Sequence, residues 1–435
     1  MELIMRKKIL LFLLLIAFSV SSLSSCLLIS SDGILGGLNN ASGGESGDKI
    51  INVEGGDSYD SINITTDSNG SLLAASKAIL STVSVDCTFD ESSNQWFGGQ
   101  SSKKTSSGGS GVIYKLDKEK GDAYVITNYH VVHNAKASQK DGISEDIKLY
   151  LYGMEMKTSD KKSYAITAEY LGGSMMYDIA VLKVTGDENL IASPARAVDI
   201  ADSNDVTILD TAIAIGNPGG DGLSATVGYI NVDSEDITVV FETGANSSAE
   251  VDLRVMRTDA AVNSGNSGGG LFNDKGELIG IVNAKSGNTS EENIGYAIPS
   301  NVAIAIADNA IDYSDGSIWR CLLGIEVSVK KYSTEYNVET GKIKKIEDVV
   351  VQNVGDKSAV KDLLLPDDVI NSISIGEETM EVTRKYHVFD FMLQARVGDT
   401  VTMNVTRGEE SVDVIIPITD AMLTRWRLPS DTTSK

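Results

Sequence analysis

Short apolar runs separated by polar, glycine-rich stretches fill the middle of the chain and predict mostly β-structure from Ser71 to about Ala310. Val, Ile and Thr recur in alternating segments such as Ala165-Ile166-Thr167-Ala168-Glu169-Tyr170-Leu171, the period-two pattern of a strand with one face on a core. Tyr124-Val125-Ile126-Thr127 reads as an apolar strand running into a polar turn, and Asp178 opens the apolar run Ile179 to Val184. The segment Phe89 to Ser107 breaks the pattern. It is long, polar and Ser-rich, and reads as a loop, with Trp96 and Phe97 as its only large aromatics after Phe89. Past Asp312-Tyr313-Ser314-Asp315-Gly316 a second unit begins. It has a strand at Glu326-Val327-Ser328-Val329, a helical run from Tyr386 to Gln394, strands over Thr400 to Val405 and Ser411 to Ile416, and a polar tail at 421–435.

Before the strands lies a different composition. Arg6-Lys7-Lys8 followed by the apolar stretch Ile9 to Phe18 predicts an export signal over residues 1–25, too short for a comfortable membrane span. Leu23-Ser24-Ser25-Cys26 resembles the bacterial lipoprotein cleavage box, so Cys26 is the expected lipidation site and membrane anchor; an ordinary cleaved signal and an uncleaved anchor helix are the alternatives. Residues 26–70 are rich in Gly, Ser, Asn and Asp and predict a flexible tether, because they hold too little apolar surface to offset ordering entropy. The expected location is the bacterial cell envelope, facing away from the cytoplasm.

At 435 residues the chain is long enough for two domains with separate cores. A formal net charge of −24 argues against nucleic acid as a partner, since phosphate binding needs clustered Lys and Arg. With Cys26 assigned to lipid, Cys87 and Cys321 remain, either as free thiols or as an interdomain disulfide. No Cys/His spacing suggests zinc, and no metal or organic cofactor is expected.

The chemistry concentrates in Asn263-Ser264-Gly265-Asn266-Ser267-Gly268-Gly269. A serine set between glycines suits a nucleophile whose neighbouring N–H groups, here those of Gly265 and Ser267, form an oxyanion hole. Such a serine needs a base and a group that orients the base. His130, one of three histidines, stands at the end of an apolar strand, and Asp178 opens another, where a carboxylate must be hydrogen-bonded to be tolerated. The order His130, Asp178, Ser267 is that of chymotrypsin-like enzymes, and differs from those of subtilisins and α/β-hydrolases.

Five segments now resemble the HtrA (high-temperature-requirement A) family over about residues 71 to 420. They are Thr127-Asn128-Tyr129-His130-Val131-Val132, Asp178-Ile179-Ala180-Val181-Leu182-Lys183-Val184, Ile215-Gly216-Asn217-Pro218-Gly219, Thr258-Asp259-Ala260-Ala261 and Gly265-Asn266-Ser267-Gly268-Gly269. The resemblance implies a mainly β protein: a chymotrypsin-like double β-barrel serine protease domain over 71–312, then an α+β PDZ domain over 318–420. His130 and Asp178 would come from the first barrel and Ser267 from the second. It also implies an ATP-independent endopeptidase that degrades misfolded or damaged proteins, captures C-terminal peptides in its PDZ domain, and assembles as a homotrimer. A PDZ-gated signalling protease and a peptide-binding chaperone with secondary proteolysis are the competing functions.

Finer expectations follow. Ala261 stands six positions before Ser267, where trypsin-type enzymes carry an acid, so a small or medium aliphatic residue is expected before the cleaved bond. Ile281 and Val282 are candidate pocket walls, with ordinary strand core as the alternative. Leu322, Leu323, Gly324 and Ile325 match the PDZ loop that receives a terminal carboxylate, and the strand after it would take the peptide by β-augmentation. Three positions depart from the family pattern. Ser264 replaces a common proline, which predicts a more mobile oxyanion loop. Gly219-Gly220-Asp221 replaces a common aromatic, and Asp367 stands where glycine is usual.

Overall fold

The computed structural model describes residues 70–95, 99–154, 164–244, 247–284, 294–313 and 316–425. Cys26, the signal, the tether, Trp96, Phe97 and the last ten residues lie outside them. The first element is a helix, α1 (Gly70–Ile79), where strands were expected; its Ala74 and Ala78 are buried against the barrels.

Six strands then close into a barrel. They are β1 (Thr82–Gln95), β2 (Gly99–Asp117), β3 (Asp122–Thr127), β4 (Asp146–Leu151), β5 (Ile166–Ser174) and β6 (Ile179–Val184), in spatial order β1-β2-β3-β6-β5-β4. Between β3 and β4 the chain makes one helical turn, α2 (Tyr129–Val132). The barrel interior is aliphatic, with Val83, Val85, Ile113, Val125, Ile147, Leu149, Ile166 and Leu182 all at most 1% exposed.

Of the expected loop from Phe89 to Ser107, the described residues 89–95 and 99–107 are instead paired strands at the far ends of β1 and β2. Phe89 pairs with Thr105 and is buried, and next to it Asp90 faces Lys104 and Glu91 faces Lys103. Opposite charges directly across an antiparallel pair contribute roughly 0.2–1 kcal/mol each. The polarity that suggested a loop therefore supports a solvated ribbon, further tied by Asn134 Nδ2 and Thr105 Oγ1, which donate to Glu91 Oε1 at 2.9 and 3.1 Å.

After α3 (Glu188–Ala192), capped by the Asp187 carboxylate on the N–H groups of Asn189 and Leu190, a second barrel forms. Its strands are β7 (Thr211–Gly216), β8 (Ser224–Gly244), β9 (Ser247–Thr258), β10 (Gly270–Phe272), β11 (Leu278–Asn283) and β12 (Gly295–Pro299), in order β10-β11-β12-β9-β8-β7. Ile126 and Ile179 of the first barrel and Ile213, Ile215, Phe272, Ile281 and Ile298 of the second pack into one cluster, closed by the buried face of α4 (Ser300–Asp312). Val302, Ala303, Ala305, Ile306, Ala307 and Ala310 recur on α4 at helical spacing, which is why this segment winds into a helix.

Buried Asn309 on α4 clamps the connection that follows, donating to Trp319 O at 2.7 Å and accepting from Trp319 N at 2.8 Å. The C-terminal unit pairs β13 (Trp319–Cys321) with a distant β20 (Leu423–Arg425). Its main sheet runs β14 (Ile325–Tyr336), β15 (Ile343–Val354), β16 (Val369–Ile375), β18 (Thr400–Arg407) and β19 (Glu410–Pro417), with β17 (Glu378–Glu381) against β16. Helix α5 (Lys385–Phe391) covers a core of Val349, Val351, Ile370, Ile373, Val401, Met403 and Val405 through Val388 and Phe391. Asp367 has φ +72°, the left-handed region in which glycine is at ease, so the aspartate keeps the glycine conformation at some steric cost. Cys87 and Cys321 are both buried free thiols, pushed up by desolvation to about 12 and about 11.

Polar contacts join this unit to the second barrel. Arg254 on β9 pairs with Asp390 on α5, Arg384 donates to Asp233 at 2.5 Å, and the Tyr386 ring lies 4.0 Å from one guanidinium and 5.0 Å from the other. Lys342 and Lys344, on the long β14–β15 hairpin, reach Asp210 and Asp205 at 2.8 and 2.7 Å.

Candidate active site

Three loops meet where the barrels face each other. β3 ends at Thr127, and the short helix after it carries His130; Asp178 occupies the last position before β6; Ser267 lies between β9 and β10. Because β3 and β6 are paired, with Thr127 opposite Ala180, the His and Asp positions are brought together at the same end of the barrel.

Asp178 is fully buried, and its chain bends through φ +48°. Its carboxylate is heavily bonded. Oδ2 lies 2.7 Å from His130 Nδ1 and accepts from Asn283 Nδ2 at 2.9 Å, while Oδ1 accepts from the His130 N–H at 3.0 Å. Its backbone carbonyl accepts from Asn128 Nδ2 at 2.8 Å and Tyr129 N at 3.2 Å. Three donors on the side chain make the ionised form tolerable without water. They also fix the imidazole: with Nδ1–H donated to Asp178, Nε2 is the free acceptor in the neutral ring, the tautomer a general base needs.

Ser267 is 5% exposed, and its Oγ accepts from Ala284 N at 3.2 Å. Among the described residues it makes no hydrogen bond to His130. The backbone around it is tightly determined. Gly265 has φ +100°, and a Cβ there would lie 2.1 Å from Asn217 O; Gly268 has φ +83°, and a Cβ would lie 2.2 Å from Ser110 O. Ser264 O accepts from Gly219 N at 3.0 Å, Gly265 O accepts from Ser110 Oγ at 2.8 Å, and Asn266 N donates to Asn263 O at 3.0 Å. Among the described residues neither the Gly265 N–H nor the Ser267 N–H has a protein acceptor. Two such donors beside a serine hydroxyl are what a developing oxyanion requires.

The remaining expected residues fall in several environments. Ala261 is exposed, and its carbonyl accepts from Thr226 Oγ1 at 2.9 Å. Ile281 and Val282 are not pocket walls: both are fully buried, Ile281 in the cluster between the barrels and Val282 in the core of the second barrel. Strand β11 is covered on both faces, so consecutive side chains enter two cores. In the C-terminal unit Leu322 N donates to Met422 O at 2.8 Å, and Ser358 Oγ to Leu323 O at 2.6 Å. Gly324, at φ +69°, leads into Ile325 at the start of β14, which is an edge of the sheet. Among the described residues the N–H groups of Leu323 and Gly324 have no protein acceptor, whereas that of Leu322 is taken.

Sequence reasoning missed Asn283 and Ser110. Asn283 carries no signal of its own, being one amide after an apolar strand. Ser110 sits in Gly108-Gly109-Ser110-Gly111, a glycine cluster unusual inside a strand and a sign of close backbone approach.

A trypsin-like peptidase domain model matches residues 109–281. The chain is 34% identical over 337 residues to the serine protease Do-like HtrA of Bacillus subtilis, covering 73% of this chain and 66% of that protein. It is 34% identical over 285 residues to the periplasmic serine endoprotease DegP of Escherichia coli K12, covering 64% of this chain and 50% of that one. The chain thus spans between half and just under two thirds of these relatives. Among solved structures, an HtrA-type protease AlgW with decapeptide aligns with a TM-score of 0.47 and 24% identity, over 82% of this chain and 99% of that one.

Proposed function

The chain carries a trypsin-like peptidase domain and belongs with the HtrA-type serine proteases, and from that premise we propose that it is an ATP-independent serine endopeptidase acting on unfolded or damaged proteins. The observation that carries the proposal is the 2.7 Å contact between His130 Nδ1 and buried Asp178, together with a buried serine whose neighbouring N–H groups have no protein acceptor among the described residues. Ser267 Oγ attacks the peptide carbonyl while His130 Nε2 takes its proton. The oxyanion is held by Gly265 N–H and Ser267 N–H, and Asp178 stabilises the imidazolium. His130 then protonates the leaving amine, and water hydrolyses the acyl-enzyme by the same route.

The remaining parts of the proposal extend this reading. The C-terminal unit acts as a PDZ domain, taking substrate C-termini along the β14 edge, with the N–H groups of Leu323 and Gly324 available for a carboxylate. Cys26 is lipidated and anchors the protein in the bacterial envelope, and the assembly is a homotrimer. The Ser267 hydroxyl bonded to Ala284 N favours a peptide-gated variant of the same enzyme as the second reading.

The test is hydrolysis of unfolded casein by the protein with and without peptides ending in hydrophobic residues, beside Ser267→Ala. Activity that disappears in Ser267→Ala establishes the endopeptidase. Activity that needs the peptide selects the gated form, and hydrolysis that persists in Ser267→Ala refutes the assigned nucleophile.

A further inference from the structure

Ser110 is fully buried on β2 of the first barrel, yet its hydroxyl bonds residues of the second barrel and its loops. Its Oγ donates to Gly265 O at 2.8 Å and accepts from Asn217 N at 2.8 Å. Its backbone is engaged as well: Ser110 N donates to Ser267 O at 2.8 Å, and Ser110 O accepts from Thr127 Oγ1 at 2.7 Å. One residue therefore touches the carbonyl just before Asn266, the carbonyl of the nucleophile itself, and the head of the loop after β7.

These contacts set two peptide planes. In a trans peptide the C=O and the N–H point in opposite directions. Gly219 N–H holds Ser264 O and so turns the Gly265 N–H the other way, and among the described residues that N–H has no protein acceptor. Gly219 belongs to the loop whose first N–H, that of Asn217, is held by Ser110 Oγ. The next plane is fixed more directly, because Ser110 Oγ holds Gly265 O while Asn266 N–H goes to Asn263 O. The hydroxyl serves as donor to one plane and acceptor from the loop that fixes the other. No apolar side chain and no group that is only a donor could do both.

We propose that Ser110 is a positioning residue for the oxyanion hole, holding the Gly265 N–H in its donating orientation and doing the task left open by Ser264, which lacks the fixed φ of proline. The inference rests on the serine-endopeptidase reading above. A donor displaced from the oxyanion loses its effect on the transition state while leaving ground-state binding largely intact.

The test compares wild type, Ser110→Ala and Ser110→Cys on an unfolded-protein substrate and a short peptide substrate. Binding of a peptide aldehyde, whose hemiacetal with Ser267 carries the oxyanion, is measured beside binding of the corresponding product peptide. Ser110→Ala is expected to lower kcat by about 10- to 100-fold with KM within about twofold, the range set by misplacing one oxyanion donor. Aldehyde affinity falls in parallel and product-peptide affinity does not. Ser110→Cys, with a weak donor at nearly the same place, recovers part of the loss, and it carries the test if Ser110→Ala melts below the assay temperature. An unchanged kcat, or equal losses of aldehyde and product binding, overturns the positioning role. Wild-type hydrolysis that does not depend on Ser267 overturns the endopeptidase reading, and this role falls with it.

Discussion

Replacing Asn283 by alanine removes one of the three side-chain donors that hold Asp178. The bond is 2.9 Å long, the asparagine is 1% exposed and the carboxylate is fully buried, so water does not readily substitute for the amide. A hydrogen bond to a charged group contributes about 1.5–3 kcal/mol, or about 10- to 100-fold in a rate or equilibrium. The carboxylate oxygen that loses the amide is the one facing His130 Nδ1, so the loss is felt where the imidazolium forms. Asn283→Ala is expected to reduce kcat/KM on a peptide substrate by that factor, mainly through kcat. Asn283→Asp is the sharper probe. It sets a second carboxylate against the first, and two like charges about 3 Å apart repel by about 5 kcal/mol at an effective dielectric of 20. The pair then shares a proton at neutral pH, and the acid limb of the pH–rate profile moves to higher pH. An Asn283→Ala enzyme within twofold of wild type, with an unchanged melting temperature, would refute the reasoning: His130 N and Nδ1 alone would then suffice to hold Asp178.

Two further outcomes are expected. Gly265→Ala places a methyl group 2.1 Å from Asn217 O in a backbone at φ +100°, so the loop must move and hydrolysis should fall at least about 100-fold; retention of more than a tenth of wild-type kcat on the same substrate contradicts the packing. His387 is buried, and desolvation depresses its imidazole to about 4, below the unfolded value of about 6.5. The folded state thus binds fewer protons between those values, and stability present above pH 6.5 is lost as pH falls toward 4, by about 3 kcal/mol. Urea unfolding at pH 7 and pH 4.5 should show this loss in wild type and a smaller one in His387→Gln; equal pH dependence in the two proteins rules His387 out as its source.

The residues of the proposed triad stood out in the sequence because each member announces itself by residue type against an apolar background. A histidine in a chain with three of them, a carboxylate at the head of an apolar strand, and a serine among glycines each pose a problem that the other two solve. The barrel strands were legible for the same reason, through alternation over runs such as Ala165 to Leu171. Phe89 to Ser107 misled because serine, threonine and charge are shared by loops and by solvated ribbons, and the pairing of Asp90 with Lys104 depends on a register that the composition does not carry. Ile281 and Val282 misled differently. The residues left pocket wall and strand core both open, because burial depends on what covers each face of β11, and both faces are covered.

The contacts of Ser110 and Asn283 were hidden for a deeper reason, although the glycines around Ser110 did mark a close backbone approach. Their partners are a backbone carbonyl and N–H in one case and an already assigned carboxylate in the other, so no pattern of residue types marks the contact. The Ser264 departure illustrates the consequence. Read along the chain, loss of a proline predicts a looser oxyanion loop, because conformational freedom is judged there one residue at a time. In three dimensions the same loop is held from outside, by Gly219 N on Ser264 O and Ser110 Oγ on Gly265 O. Rigidity that a proline builds into one residue is here distributed over hydrogen bonds from two other segments, one of them in the opposite barrel. A loop held this way stays in register only while the barrels stay in register, which ties the proposed oxyanion donors to the barrel–barrel contact.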